Sequence, residues 1–248
     1  MEKKKNDFIA QGSILAIASI LVRVMGMIYR IPMTAIIGDK GNGFYSYAYS
    51  VYTILLLLSS YSLPLAVSKM VSAKAQLGQW RNVKRVFICA IAFAIGIGTT
   101  FGLIVLIGAQ FFTRVFFHSE LAAIALRFMA PTILIMALLG VFRGFFQGLQ
   151  NTLTTAVSQI VEGLINAIMS VVFAYFLFDF GHGMDAAGGT TDLGYAWGAA
   201  GGAIGTGAGA LAGLIFCFIL FVAYRKILAV NISRDKTGTQ QEYGDIFR

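Results

Sequence analysis

Charge is scarce in this sequence: 12% of its 248 residues are Asp, Glu, Lys or Arg, against 58% that are hydrophobic. A water-soluble domain of this length needs a charge every few residues to cover its surface, and a mean hydropathy of +0.77 excludes one. Histidine is nearly absent. His118 and His182 stand singly, and the chain has no HExxH, no nucleophile elbow and no Walker motif, so neither an enzyme nor a cofactor is expected. Solvated loop positions account better for His182, Asp179 and Asp185 than a metal site does. The two cysteines, Cys89 and Cys217, lie in separate apolar runs without a CxxC, which excludes a disulfide framework and fits buried, reduced thiols. The formal net charge of +8 does not make nucleic acid a partner, because Lys and Arg fall in short clusters between apolar runs, as in membrane loops.

Uninterrupted apolar sequence is what the chain has in abundance. Val86 to Gln110 carries no charge at all, which is the length of one bilayer crossing. Hydropathy predicts an all-α, polytopic membrane protein with six spans: Phe8 to Ile37, Tyr45 to Val67, Val86 to Phe112, Leu121 to Gln147, Thr152 to Phe178 and Tyr195 to Tyr224. The basic amino terminus resembles a signal n-region, but the apolar stretch after it outruns an h-region and lacks an Ala-x-Ala exit, so it reads as a retained first helix. Lys3, Lys4 and Lys5, then Lys69, Lys74, Arg81, Lys84 and Arg85, then Arg225, Lys226, Arg234 and Lys236 mark one side. By the positive-inside rule that side is cytoplasmic, with both termini on it. Residues 1–230 form the membrane unit, and 231–248 read as a polar cytoplasmic tail, a linker or a cut end.

Two spans carry polar stripes. In span one, Arg23 and Arg30 are two helical turns apart, with Gly26 and Thr34 on the same face. An arginine near the bilayer centre costs about 2.5–3.5 kcal/mol on insertion scales, so the pair implies a water-filled cavity or partners inside the bundle; the alternative is snorkelling to the headgroups. In span five, Thr155, Gln159, Glu162, Asn166 and Ser170 make one polar face, with Glu162 its only charge. Glu162 reads either as a coupling or gating carboxylate in the same cavity or as half of an ion pair fixing spans one and five. In span four, Pro131 predicts a kink between Arg127 and Arg143, and Arg143 with Gln147 one turn on face either the cavity or the interface. Tyr45, Tyr47, Tyr49 and Tyr52 open span two at the outer interface, where an aromatic belt is the simpler reading and sugar stacking the rival one.

Span six repeats glycine at every fourth position, Gly201, Gly205, Gly209 and Gly213, a small-residue surface for close helix packing. The run from Gly205 to Gly209 follows no strand and precedes no Lys-Ser or Lys-Thr, which rules out a phosphate-binding loop.

The segment from Arg23 through Gly26, Tyr29, Arg30 and Pro32 to Gly38-Asp39 and Gly41-Asn42-Gly43-Phe44-Tyr45 resembles the opening of Gram-positive polysaccharide-export and stage V sporulation protein B-like transporters. Ser62-Leu63-Pro64-Leu65-Ala66-Val67-Ser68-Lys69 is similar to the same family, as is Phe142-Arg143-Gly144-Phe145-Phe146-Gln147-Gly148 leading into Thr155 to Glu162. These transporters belong to the multidrug, oligosaccharidyl-lipid and polysaccharide exporter superfamily, which includes the lipid II flippases. The resemblance implies one lobe of a two-lobed, MATE-like transporter with a central cavity, in the bacterial cytoplasmic membrane. It also implies that Glu242 to Phe247 lead into a second lobe that is missing or separate. The expected partners are a lipid-linked anionic saccharide and membrane lipids. By position, Arg23 and Arg30 match the cationic residues thought to hold the pyrophosphate, with Gln159, Asn166, Gln147 and Arg143 available to the head group and Glu162 set to compete for the arginines. Two rivals remain: a cation-coupled multidrug antiporter, which wants carboxylates rather than arginines, and a scaffold pairing with another subunit through the glycine face of span six.

Overall fold

Gly38 decides the shape of the first helix. The computed structural model describes residues 2–188 and 192–235 with Thr237 and Thr239, and side chains from Gly12 onward. Helix α1 covers Glu2–Ser59, and its 58 residues would reach ~87 Å if straight, nearly three bilayer cores. At Gly38 the backbone leaves the helix, with φ 63° and ψ −177°. That conformation is open to glycine and unfavourable to residues with a β-carbon. The chain folds back there: Arg23 and Thr53, which a straight helix would hold ~45 Å apart, line one cavity. The reversal sits on Tyr195, whose carbonyl oxygen would lie 3.1 Å from a β-carbon at Gly41. An ion pair from Lys40 to Asp192, 3.0 Å, ties it further.

The remaining helices are α2 Leu63–Gln76, α3 Trp80–Phe117, α4 Ala122–Gly148, α5 Thr152–Gly188 and α6 Leu193–Ser233. There is no strand among the described residues. Five stretches are long and apolar enough to cross a membrane: Gly12–Gln76, which contains the reversal, Trp80–Phe117, Ala122–Gly148, Thr152–Gly188 and Leu193–Ser233. Several expected boundaries move. The loop foreseen between Ile37 and Tyr45 is helical except at Gly38, because one glycine suffices for the reversal. Span two breaks at residues 60–62, and Pro64 opens α2 in the first turn, where its missing N–H is no loss. α4 continues through Pro131 as one helix.

Carboxylates borrowed from other elements extend two helices beyond their apolar runs. Asp185 accepts hydrogen bonds from the backbone N–H groups of Leu193, 3.0 Å, and Gly194, 2.8 Å, and so caps α6 from the far end of α5. Asp179, His182 and Asp185, expected as solvated loop positions, lie in α5, which is helical through Gly188, and Asp185 serves a helix end. Asp235 does the same for α3, accepting from the N–H of Arg81 at 3.0 Å. The tail foreseen from Asn231 begins later, since α6 runs to Ser233, and residues 242–247 lie outside the described residues.

The glycines of α6 are spent within the chain. A β-carbon at Gly205 would strike Ser170 of α5, one at Gly201 would strike Phe173 and Ala174, and one at Gly209 would come within 2.6 Å of the Glu162 carbonyl oxygen. Gly213 is less tight, 3.4 Å from Leu139 and from the Ser158 carbonyl. In lipid, where apolar side chains gain nothing by leaving their solvent, such close approach is a main source of helix association. The glycine face foreseen as a docking surface for another subunit is thus covered by α5. Near the opposite end of α6, Phe87, Phe145 and Phe221 pack together at centroid distances of 4.6–5.5 Å and join α3, α4 and α6.

Candidate functional site

A cavity of about 590 Å³ opens between the two arms of α1 and the faces of α4, α5 and α6. The first arm brings Arg23, Gly26, Tyr29 and Arg30 to it, and the returning arm brings Tyr45, Tyr49, Tyr52 and Thr53. α5 contributes Glu162, Gly163 and Asn166, with Met136 from α4 and Thr206 from α6. The stripe read from Arg23 through Gly26 to Arg30 therefore faces one recess, although Thr34 does not line it.

Charge in the site is unevenly partnered. Glu162 is held by Arg143, whose Nη2 donates to Oε2 at 2.7 Å while its Nε donates to Ser158 Oγ at 2.8 Å. Both partners are mostly buried, with side chains 11% and 25% exposed. The ion pair expected between spans one and five is thus formed between α4 and α5 instead. The reason is spacing: Ser158 and Glu162 are one turn apart on α5, so a single guanidinium fork reaches both. Arg23 and Arg30, by contrast, are exposed and have no ion-pair partner among the described residues. With Glu162 neutralised from behind, the recess carries an excess of two positive charges.

Arg143, Gln147 and Gln159 do not line the cavity. Arg143 acts on it only through Glu162. Gln159 is half-buried beneath, its Oε1 enclosed and without a hydrogen-bond partner, as is Thr155 Oγ1. Ser170, on the expected polar face, is buried against α6, its hydroxyl 3.3 Å from the Gly202 carbonyl oxygen and 2.8 Å from Asn166 Oδ1 of its own helix. Arg127 is exposed and away from the recess.

The aromatic lining departs from the simpler sequence reading, and it adds Tyr29, which that reading did not single out. Tyr45 and Tyr52 are buried rather than set in an interfacial belt, and Tyr45 Oη lies 3.2 Å from Thr206 Oγ1. Tyr45, Tyr49 and Tyr52 follow one another at centroid distances of 5.8 and 5.9 Å. Their spacing of four and then three residues was a legible signal of one helical face, hidden among the neighbouring Tyr47, Ser46 and Ser50. Tyr47 faces away and stacks on Phe117 at 4.7 Å.

Comparison with known proteins gives the chain its relatives. The family described as polysaccharide biosynthesis protein matches residues 8–238. The chain is 26% identical over 228 residues to stage V sporulation protein B of Bacillus subtilis (strain 168), covering 92% of this chain and 41% of that protein. It is 26% identical over 163 residues to the lipid II flippase MurJ of the same organism, covering 62% of this chain and 30% of that protein. A third relative, the uncharacterized membrane protein YabM, is 26% identical over 185 residues, with 74% and 34% covered. The chain spans less than half the length of each of these curated relatives. No solved structure matches it. Five long apolar helices and bacterial relatives make it a multi-pass membrane protein of bacterial kind. With the match running over nearly all its length, the chain belongs to the polysaccharide biosynthesis protein family, in the stage V sporulation protein B and MurJ branch of the multidrug, oligosaccharidyl-lipid and polysaccharide flippase superfamily.

Proposed function

We propose that this chain is the amino-terminal lobe of a transporter that flips undecaprenyl-pyrophosphate-linked saccharides across the cytoplasmic membrane by alternating access. Counting the two arms of α1 separately supports six crossings, and the basic residues of α2, of the start of α3 and of the end of α6 support a cytoplasmic location for both termini. The single observation that carries the proposal is the meeting of unpartnered Arg23 and Arg30 with a ladder of tyrosines in one recess. A polyprenyl-linked saccharide carries a pyrophosphate and a large polar head that cannot cross hydrocarbon unaided. The guanidinium groups of Arg23 and Arg30 bind the pyrophosphate through charge-assisted hydrogen bonds, while Asn166, Thr206 and the tyrosine rings take the sugar and the lipid tail stays in the bilayer. No bond is made or broken. A relative named as a lipid II flippase and another named for sporulation fit a cell-wall precursor as the cargo.

The antiporter alternative fares worse on charge. It needs a free carboxylate for a cationic drug, and the one acidic side chain lining the cavity among the described residues is already met by Arg143. The test is binding of a fluorescent undecaprenyl-pyrophosphate saccharide to the chain in nanodiscs, wild type against Arg23→Ala and Arg30→Ala, with a cationic dye as control. Saccharide binding that falls in both variants, with the dye ignored, is the expected result. Dye binding that depends on Glu162 would move the protein to the antiporter class.

A further inference from the structure

Away from the cation-lined recess, α3 and α6 leave a slot of about 310 Å³ between them near their basic ends. Its walls are two matched helical faces. Lys84, Ile88 and Ile91 come from α3, and Phe221, Arg225 and Leu228 from α6. The order along the slot is amphipathic. Phe87 and Phe221 close its floor with rings 4.6 Å apart. Lys84 lies one turn before Phe87 and Arg225 one turn after Phe221, so in these antiparallel helices the two cations stand at the same level, one on each wall. Both are exposed, and among the described residues neither has an acidic partner. Asp235, the carboxylate at that end, is committed to the backbone of Arg81 and to Thr237.

Two cations flanking the mouth of an apolar, lipid-facing slot have the complementarity of a phospholipid rather than of a protein segment. A basic pocket between membrane helices at the cytoplasmic face matches an anionic head group, and the slot below it is lined only by hydrocarbon and aromatic rings. We propose that this groove is a binding site for an anionic glycerophospholipid, its phosphate bridging Lys84 and Arg225 and one acyl chain lying over Ile88, Ile91 and Phe221. The site is separate from the recess of Arg23 and Arg30 and stands whether or not that recess takes a saccharide.

The experiment is native mass spectrometry of the full chain released from micelles containing either phosphatidylglycerol or phosphatidylcholine. Phosphatidylglycerol is retained preferentially, and Lys84→Ala and Arg225→Ala each weaken its apparent affinity about fivefold, the worth of one cation at a membrane surface. Ile88→Trp, which fills the slot from an exposed position and leaves the cations in place, displaces phosphatidylglycerol while the melting temperature is held. Lys226→Ala, a neighbouring cation outside the slot, leaves retention unchanged. Equal retention of the two lipids overturns the proposal, as does a loss in Lys226→Ala as large as in Lys84→Ala. Displacement of the bound lipid by a polyprenyl-pyrophosphate saccharide also overturns it, by giving the groove to the other phosphate-bearing lipid.

Discussion

Removing Arg143 is expected to weaken anion binding at Arg23 and Arg30, two residues it does not touch. In the native chain its guanidinium satisfies Glu162 at 2.7 Å and Ser158 at 2.8 Å. Arg143→Ala frees the carboxylate to act on the recess. A cavity of 590 Å³ is about 10 Å across if taken as a sphere, so a freed carboxylate opposes a bound anion, or binds an arginine in its place, with about 0.4–1.7 kcal/mol for effective dielectrics of 80 to 20. Affinity for a lipid-linked pyrophosphate then falls about twofold to eighteenfold. Glu162→Gln in the same background removes the new charge and restores affinity. Glu162→Gln alone leaves Arg143 unneutralised and leaves affinity unchanged or higher. The assay is titration of the fluorescent lipid-linked saccharide into nanodiscs for the four proteins of this double-mutant cycle. If the double variant binds as weakly as Arg143→Ala, the loss came from disturbed α4–α5 packing, and the electrostatic reasoning is refuted.

Three other perturbations follow from the same geometry. Gly205→Leu drives a side chain into Ser170 and costs about 1–3 kcal/mol or more by overpacking, seen as a lowered melting temperature in detergent; Gly43→Leu, where a β-carbon meets nothing within 4 Å, leaves it unchanged. Asp235, hydrogen-bonded to Thr237 and to the Arg81 amide, has its carboxyl held down at about 2 from an ordinary 3.8, so it stabilises the fold above pH 4 and that contribution is lost as pH falls toward 2. The melting-temperature gap between wild type and Asp235→Asn accordingly closes between pH 4 and pH 2. Tyr49→Ala removes one ring of the ladder and lowers saccharide affinity about twofold to tenfold, while binding of polyprenyl pyrophosphate without a sugar stays constant in the same titration.

Composition alone made the all-helical membrane class legible, because 58% hydrophobic residues and a charge-free run from Val86 to Gln110 admit little else. The glycine spacing of α6 also announced close packing, though not which helix would fill it. Arg23, Arg30, Glu162 and Asn166 could be grouped from period and polarity before any coordinates, and they meet in one cavity. What periodicity could not supply was pairing between helices. Arg143 and Glu162 lie 19 residues apart on neighbouring helices, and only the α4–α5 register brings them together in place of the span-one arginines. The caps on α3 and α6 were hidden for the same reason, since Asp235, just after α6, acts on α3, and Asp185, inside α5, acts on α6.

The contrast between the two kinds of membrane arginine gives the strongest physical ground for assigning the site. Each costs about 2.5–3.5 kcal/mol to place at mid-bilayer, against a net stability of about 5–15 kcal/mol for a typical fold. Arg143 offsets that cost through two charge-assisted or hydroxyl hydrogen bonds inside the bundle, so a structural role accounts for it in full. Arg23 and Arg30 have no such return among the described residues. A structural role for them requires a carboxylate within reach, and the nearest on the cavity wall is already satisfied by Arg143. Snorkelling relieves Arg30, a few residues from the reversal at Gly38, better than Arg23, two turns deeper. A hydrated recess with an anionic occupant relieves both, and it does so most when the occupant is bound. The chain itself thus holds the positive charge that an anionic head group needs to leave water.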